Sequence, residues 1–326
     1  MKILVAPLNW GLGHASRCVP LVRQFLNEGH EVILGGDGDS LTLLRRHFPK
    51  LRYVYLAPLK LRYSAGKRQV WAMVRSLPQL VTWALKDRAM LDAVLREEHI
   101  DRVISDNRFG LFSTKTECIY MTHQLHIFLP RGWRWLEPLA ERLHARIYTR
   151  YKEIWVPDFE DSSLSLAGEM SHLKGQSDVE QSIIRYIGPL SRFVSSGDVR
   201  DSNEKQTVVA LLSGLEPQRT LLENDIVARY KNSEEPVTII QGLPGRPNTR
   251  FKRGNITMIP YLGEQELVPL LISAKHIIAR SGYSTIMDLY ALNLLSKTEL
   301  IPTPGQPEQE YLAQYYKKRA HFSCKN

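Results

Sequence analysis

Residues 280–314 read RSGYSTIMDLYALNLLSKTELIPTPGQPEQEYLAQ. A Ser-Gly pair follows the apolar run KHIIAR and opens a helical segment. A second apolar run, ELIPTP, ends at a Gly turn, and Glu-Gln opens the next helix. Strand, helix, strand, helix is the alternation of a parallel sheet with crossover helices. Small residues stand where each strand gives way to its helix. In open sheets of this kind ligands bind beyond the carboxyl ends of the strands. The unpaired N–H groups and positive dipole of a helix start suit an anion there.

Outward from this stretch the same rhythm fills the chain. Upstream, QTVVALLSG, PVTIIQG and ITMIPY are separated by helical segments such as 264–273, and residues 283–293 form the helix after KHIIAR. Towards the N-terminus KILVAP, HEVILGG, DRVISD, ECIYMTH, EIWVPD and IRYIGP repeat the pattern. Between the two series, SRFVSSGDVRDSNEK is polar, contains glycine and has no periodicity, so it reads as a linker. The expected organisation is a first lobe over 1–190, a linker over 191–205 and a second lobe over 206–326. The fold class is α/β, two doubly wound lobes with a cleft between them.

The chain has 326 residues, enough for two cores, and carries a formal net charge of +9. That balance favours an anionic partner: nucleic acid, an acidic membrane leaflet or a phosphorylated small molecule. Cys18, Cys118 and Cys324 are odd in number and too far apart in sequence for a metal cluster, which fits a reducing cytoplasm. No apolar run reaches the length of a membrane span, and MKILVAPLNWGLGH lacks a signal peptide's long apolar region. A soluble or surface-bound cytoplasmic protein is expected.

Three strand ends carry candidate ligand contacts. NWGLGHASR places Gly11 and Gly13 where backbone can approach a phosphate, or where an ordinary tight turn is needed. In LLSGLEPQR, Ser213 and Gly214 close a strand, and Arg219 follows within helical reach of a diphosphate; capping and a solvated charge are the plainer reading. ARSGYSTIMD repeats the device with Arg280, Ser281 and Gly282, then Thr285 and Asp288 on the first helical turns. A cap explains Ser281, but not an Asp one turn further on that could accept a ribose diol. Three such ends point to a nucleotide.

The stretch 280–314 resembles the C-terminal signature of the family 28 group of glycosyltransferases. That group includes the N-acetylglucosaminyltransferase that completes lipid II and the diacylglycerol glucosyltransferases. The resemblance is strongest over 206–314. In the N-terminal lobe it rests on GLGHASR, similar to the family's glycine-rich loop ending in His. It implies the GT-B fold, two Rossmann-like lobes with the donor held mainly by the second. Carried onto this chain, it implies Ser281, Gly282 and Thr285 beside the donor diphosphate and Asp288 on the ribose. It implies Glu308 and Gln309 on the sugar hydroxyls, and the backbone of Tyr261 and Leu262 on the base, commonly uracil. Two departures stand out. ALNLLSKTELIPTPG lacks the usual G(K/R)P turn, and the chain ends at KKRAHFSCKN where GT-B proteins continue with covering helices, so that cover is expected to be missing.

Transfer from a nucleotide sugar needs a base for the acceptor hydroxyl and a sink for the departing diphosphate. His14 is the candidate base, since histidine ordinarily titrates near neutral pH; a cap or a packed side chain is the alternative. Asp106 and His123, at other strand ends of the same lobe, are further candidates as base or acceptor ligand. Direct displacement by one base, with no protein nucleophile, implies inversion. No cofactor and no metal are expected. GGDGDS, with Asp37 and Asp39, mimics an acidic metal motif, but after a second strand it reads as a turn and helix cap.

Two first-lobe segments interleave basic and aromatic residues: Lys60, Arg62, Lys67, Arg68 and Arg75 with Trp71 and Trp83, then Arg131, Trp133, Arg134 and Trp135. Such patches suit an anionic lipid surface, and so a lipid-linked acceptor on the inner leaflet, unless the tryptophans pack inward. Two rivals stay open: a nucleotide-sugar hydrolase or 2-epimerase on the same scaffold, and a nucleic-acid binder. The second is disfavoured because the charges are scattered and no nucleic-acid motif occurs.

Overall fold

The computed structural model describes residues 1–59, 69–172, 182–193, 207–247 and 249–323. Lys60, Arg62, Lys67, Arg68, Cys324 and most of the expected linker lie outside these residues, as do the side chains of Trp71, Arg75 and Arg131. The chain divides into two compact units, Met1–Asn9 with His14–Leu190 and Trp10–Gly13 with Ser191–Asn326.

Unit 1 is built on β1 (Lys2–Pro7), α1 (Gly13–Asn27), β2 (Glu31–Gly36), α2 (Gly38–His47), β3 (Tyr53–Tyr55), α3 (Gln69–Glu97) and β4 (Arg102–Asp106). It continues with β5 (Glu117–Met121), α4 (Glu137–Tyr148), β6 (Glu153–Val156) and β7 (Ile184–Tyr186). The seven strands form one parallel sheet in the order β3-β2-β1-β4-β5-β6-β7. β1 is buried from Ile3 to Pro7, as a central strand covered on both faces must be. Leu4, Ala6, Ile33, Leu91, Val103, Tyr120 and Ile154 meet in its core.

Unit 2 contains β8 (Val208–Leu211), α5 (Gln218–Tyr230), β9 (Val237–Ile240), β10 (Phe251–Arg253), β11 (Ile256–Ile259) and α6 (Glu264–Ser273). β12 (His276–Arg280), α7 (Tyr283–Ala291), β13 (Thr298–Ile301) and α8 (Pro307–Ser323) complete it. Its sheet runs β10-β11-β9-β8-β12-β13, parallel except for the antiparallel pair β10 and β11. The α/β expectation of two doubly wound sheets is met. β3 and β10, which the sequence periodicity does not reveal, are three-residue edge strands, and β10 is exposed throughout.

Each sheet reverses its winding once, in unit 1 between β1 and β4 and in unit 2 between β8 and β12. These are the switch points at which doubly wound sheets bind ligands.

Buried charge stiffens unit 1. The Arg108 guanidinium, fully buried, donates to both oxygens of Asp87 on α3 at 2.9 and 2.7 Å. It also donates to Asp37 before α2 at 3.1 Å, to the Ala57 carbonyl at 2.7 Å and to that of Pro7 at 3.5 Å. Asp37 sits at the cap position of α2, as expected, but its side chain receives Arg108 and Asn9 rather than the helix amides. Asp158 is a second buried anchor. Its carboxylate accepts the amides of Phe159, Leu166 and Ala167 and the hydroxyls of Ser165 and Ser171, which ties down the loop after β6.

Trp83 takes the inward-packed alternative. It is 4% exposed, donates from Nε1 to the Ala57 carbonyl at 2.8 Å and meets Phe109 edge-on, so its ring is core and not a membrane contact. Among the described residues no helix is long and apolar enough to cross a membrane, and no group of His, Cys, Asp and Glu side chains could hold a metal ion.

Candidate active site

Pro7 and Asp106 face each other at the carboxyl ends of β1 and β4, the switch point of the first sheet. After β1 the chain turns through Gly11, whose φ of +77° favours glycine, and enters α1 at Gly13. His14 therefore lies in the first turn of α1 and Arg17 three residues on, on the same face. After β4, Asn107 takes a φ of +56° and accepts the Tyr120 hydroxyl on its side chain, so the chain bends immediately beyond Asp106.

Four side chains converge here. His14 Nδ1 lies 3.0 Å from Asp106 Oδ1. Arg17 donates from Nε to Asp106 Oδ2 at 2.8 Å and from Nη2 to Oδ1, a bidentate pair. Its Nη1 lies 2.9 Å from His123 Nδ1, and its Nη2 lies 3.0 Å from His14 Nδ1. Asp106 is fully buried and Arg17 1% exposed, whereas the His14 side chain keeps 15% of its surface. Burial would raise the Asp106 carboxyl, but the charges of Arg17 and His14 outweigh it and hold the group well below the carboxylate range. Burial, reinforced by Asp106, pushes the neighbouring Cys18 thiol well up, so it stays a neutral donor to the carboxylate.

His14, Asp106 and His123, separate candidates in the sequence, thus form one cluster. The residue that joins them, Arg17, was not singled out by the sequence reading. Its signal was available: a basic residue three positions after His14 shares the face that meets the strand ends.

The second switch point is built differently. β8 leads into Ser213 and Gly214, the latter with a φ of +104°. β12 ends at Arg280, and Gly282 caps α7 in extended conformation with open space above its Cα. Arg280 is 4% exposed and donates to the carbonyls of Pro302 and Gln218, both at 2.8 Å, tying β12 to the starts of the flanking segments. Its buried Nε has no partner among the described residues. Burial lowers its pKa. The Ser281 hydroxyl donates to the Gln309 carbonyl at 2.8 Å, so the two helix starts of residues 280–314 touch. The Gln309 side chain is oriented by Thr303 N–H on Oε1 at 2.9 Å and by its own Nε2 on Gln306 at 2.7 Å. Glu308 and Thr285 are half-buried at the same ends.

Other predicted contacts sit further in. Asp288 is 5% exposed, accepting the Ser191 hydroxyl at 2.8 Å with Arg192 at 3.4 Å, and burial raises its pKa in spite of Arg192. A ribose would have to replace one of these partners. Arg219 is engaged by Glu216 and Glu223, each at 2.6 Å, and by Thr220, so in this arrangement it balances carboxylates. Leu262 packs its side chain into the core after β11, while its backbone makes no hydrogen bond among the described residues.

No family model matches the chain. It is similar to two curated proteins named uncharacterized glycosyltransferase. One, from Methanosarcina acetivorans, is 25% identical over 331 residues, and one from Methanosarcina mazei is 23% identical over 326; each comparison covers 95% of this chain and 82% of the relative. Among solved structures, the spinosyn rhamnosyltransferase SpnG with thymidine diphosphate superposes with a TM-score of 0.56 at 13% identity, over 98% of this chain and 90% of that one. The S. aureus MnaA–UDP complex gives 0.54 at 13% identity, over 97% and 87%. The fold is that of the GT-B glycosyltransferases. A putative UDP-N-acetylglucosamine 2-epimerase from Listeria monocytogenes shares it, with a TM-score of 0.52 at 13% identity, over 98% and 89%.

Proposed function

We propose that the chain transfers a sugar from a nucleoside diphosphate donor, a UDP-sugar, to an acceptor hydroxyl, with inversion at the anomeric carbon and without a metal ion. The observation that carries this reading is His14 Nδ1 at 3.0 Å from the buried Asp106 carboxylate. With Nδ1–H on that carboxylate, Nε2 keeps a lone pair. The acceptor hydroxyl gives its proton to Nε2 as its oxygen bonds to the anomeric carbon, and the bond to the donor phosphate breaks with its electron pair leaving on the diphosphate. Asp106 stays ionised and balances the imidazolium.

In unit 2 the amide tip of α7 at Gly282, with Ser281, Thr285, Ser213, Gly214 and the unmatched Arg280 Nε–H, receives the diphosphate. Arg219 serves it by exchanging a carboxylate. Gly11 and Gly13 let backbone come close to the ligand. The free backbone groups of Leu262, beside Tyr261, read the base, and Asp288 holds the ribose. Gln309 keeps one amide hydrogen and one oxygen lone pair beyond its internal bonds, and with Glu308 it grips the sugar hydroxyls.

The acceptor is a lipid-linked hydroxyl presented at an anionic membrane surface. Supporting this, Trp135, Leu139 and Leu143 are 75, 54 and 52% exposed at successive helical turns, beside the exposed Arg134, Arg142 and Arg146. The two acids of that segment are turned to internal partners, Glu137 to the Leu129 amide and Arg134, and Glu141 to His126. Association with anionic vesicles at low salt, lost in Trp135→Ala, is the expected result; no association with either lipid charge removes this part.

The reaction itself is tested by screening nucleotide sugars for thermal stabilisation and then analysing products with lipid and soluble acceptors. An inverted glycoside supports transfer. Free sugar, or an epimerised nucleotide sugar formed without acceptor, replaces it with the reaction suggested by the epimerase of the same fold.

A further inference from the structure

Arg17 reaches three titratable side chains on three different elements, and the hydrogens of that cluster can be counted. A guanidinium donates and never accepts. His123 Nδ1, 2.9 Å from Arg17 Nη1, therefore has to be an acceptor. A ring whose Nδ1 accepts cannot be the imidazolium, and it carries its one proton on Nε2. His14 faces the opposite demand. Its Nδ1 stands 3.0 Å from Asp106 Oδ1, where two lone pairs would oppose each other unless a proton lies between them. Arg17 Nη2, also 3.0 Å from that nitrogen, carries two hydrogens, and with one of them on Oδ1 the Nδ1–H of His14 shares the same acceptor.

We infer that Arg17 is a positioning residue that acts together with Asp106 to hold the two histidines in opposite tautomers: Asp106 keeps His14 protonated at Nδ1, and Arg17 keeps His123 protonated at Nε2. Only His14, the more exposed ring, then offers a lone pair at Nε2, and the buried His123 is withdrawn from proton transfer. The groups facing the pair agree with this. Arg17 and Asp106 cancel each other's charge beside His123. Cys18 and Tyr120 remain neutral because burial, with Asp106, pushes both pKa values up. The inference deepens the reading of His14 as the base, but the tautomers can be observed without turnover.

The test is long-range 1H–15N correlation spectroscopy of the histidine rings in the full-length 15N-labelled chain, assigned with His14→Gln and His123→Gln. Expected in the unaltered protein at pH 7.5 are an Nδ1–H pattern for His14 and an Nε2–H pattern for His123, the latter persisting to about pH 5.5, well below ordinary histidine titration. In Arg17→Met, His123 should begin to titrate at least about one pH unit higher, since the cation and its donor are gone. A His123 that carries a proton on Nδ1 at neutral pH, or two rings with the same tautomer, overturns the inference. The unaltered protein decides this even if Arg17→Met does not fold. Opposite tautomers together with unimpaired turnover in His14→Gln would leave the role of Arg17 standing and remove the base.

Discussion

The two switch points occupy equivalent places in two similar sheets, yet they are furnished in opposite ways. In unit 1 the strand ends carry a closed set of charges: Arg17 and Asp106 are buried against each other, and two histidines are fixed to them. In unit 2 the ends carry glycine, serine and backbone amides, and the arginines nearest to them, Arg219 and Arg280, are largely engaged by carboxylates or carbonyls. The difference matches the division of work proposed for the two ends. Moving a proton requires one ring in one tautomer, which only dedicated partners enforce. Holding a diphosphate requires converging N–H groups and room, which a bare helix tip supplies.

The sharpest way to break this contrast is to disable one end and measure both functions. His14→Gln should lower kcat by ~10²–10⁴-fold while leaving the thermal shift caused by nucleotide sugar intact. An equal loss of donor-induced stabilisation would mean that the two ends do not divide the work. Asp87→Ala removes the main partner of the buried Arg108 and should cost ~3–5 kcal/mol in urea unfolding; a loss below about 1 kcal/mol would show that the charge network of unit 1 is dispensable.

Acid should separate the units. Burial lowers His144 to about 4, so below its ordinary value near 6.5 the unfolded chain takes up a proton that the folded chain refuses. Stability then falls as the pH drops from about 6.5 towards 4, by up to about 3 kcal/mol. The depressed Asp106 acts with the same sign at lower pH: its contribution is complete above the unfolded carboxylate value and is lost as pH falls towards the folded one. Asp288 has the opposite sign, because its raised pKa lets the folded state bind the proton first. Circular dichroism melts of His144→Phe against the parent between pH 7 and 4.5 check the first and largest of these; parallel curves would refute it. The smallest effect is expected at the sugar: Gln309→Ala should weaken nucleotide-sugar binding about tenfold, the worth of one or two hydrogen bonds, with binding of the free nucleotide unchanged.

How far the sequence led depended on how local the physics was. The β-branched runs named both sheets, because a strand buried on two faces is apolar through its middle, as Ile3–Pro7 of β1 and Ile277–Ala279 of β12 are. The short edge strands β3 and β10 have no such requirement and left no trace, whereas the edge strands β7 and β13 were marked by IRYIGP and ELIPTP. The link between Ser281 and Gln309 was foreshadowed by two helix starts flanking one short strand. The grouping of His14 with Asp106 and His123 was only half legible: each marks a strand end, but which ends adjoin is set by strand order, and the sequence reading did not assign that order. Arg108 and Asp87 could not be found at all, since a charged residue in a helix or after a strand is ordinarily solvated and only tertiary packing buries it.

The Arg108 guanidinium has one more implication. It is shared by the end of β1, the cap of α2, the segment at Ala57 and the middle of α3, so none of these pieces can peel away alone without stranding a charge in the interior. Fraying one piece at a time is thereby discouraged, and the front half of unit 1 is expected to open all together. Its slowest amides should then exchange with solvent deuterium at a common rate.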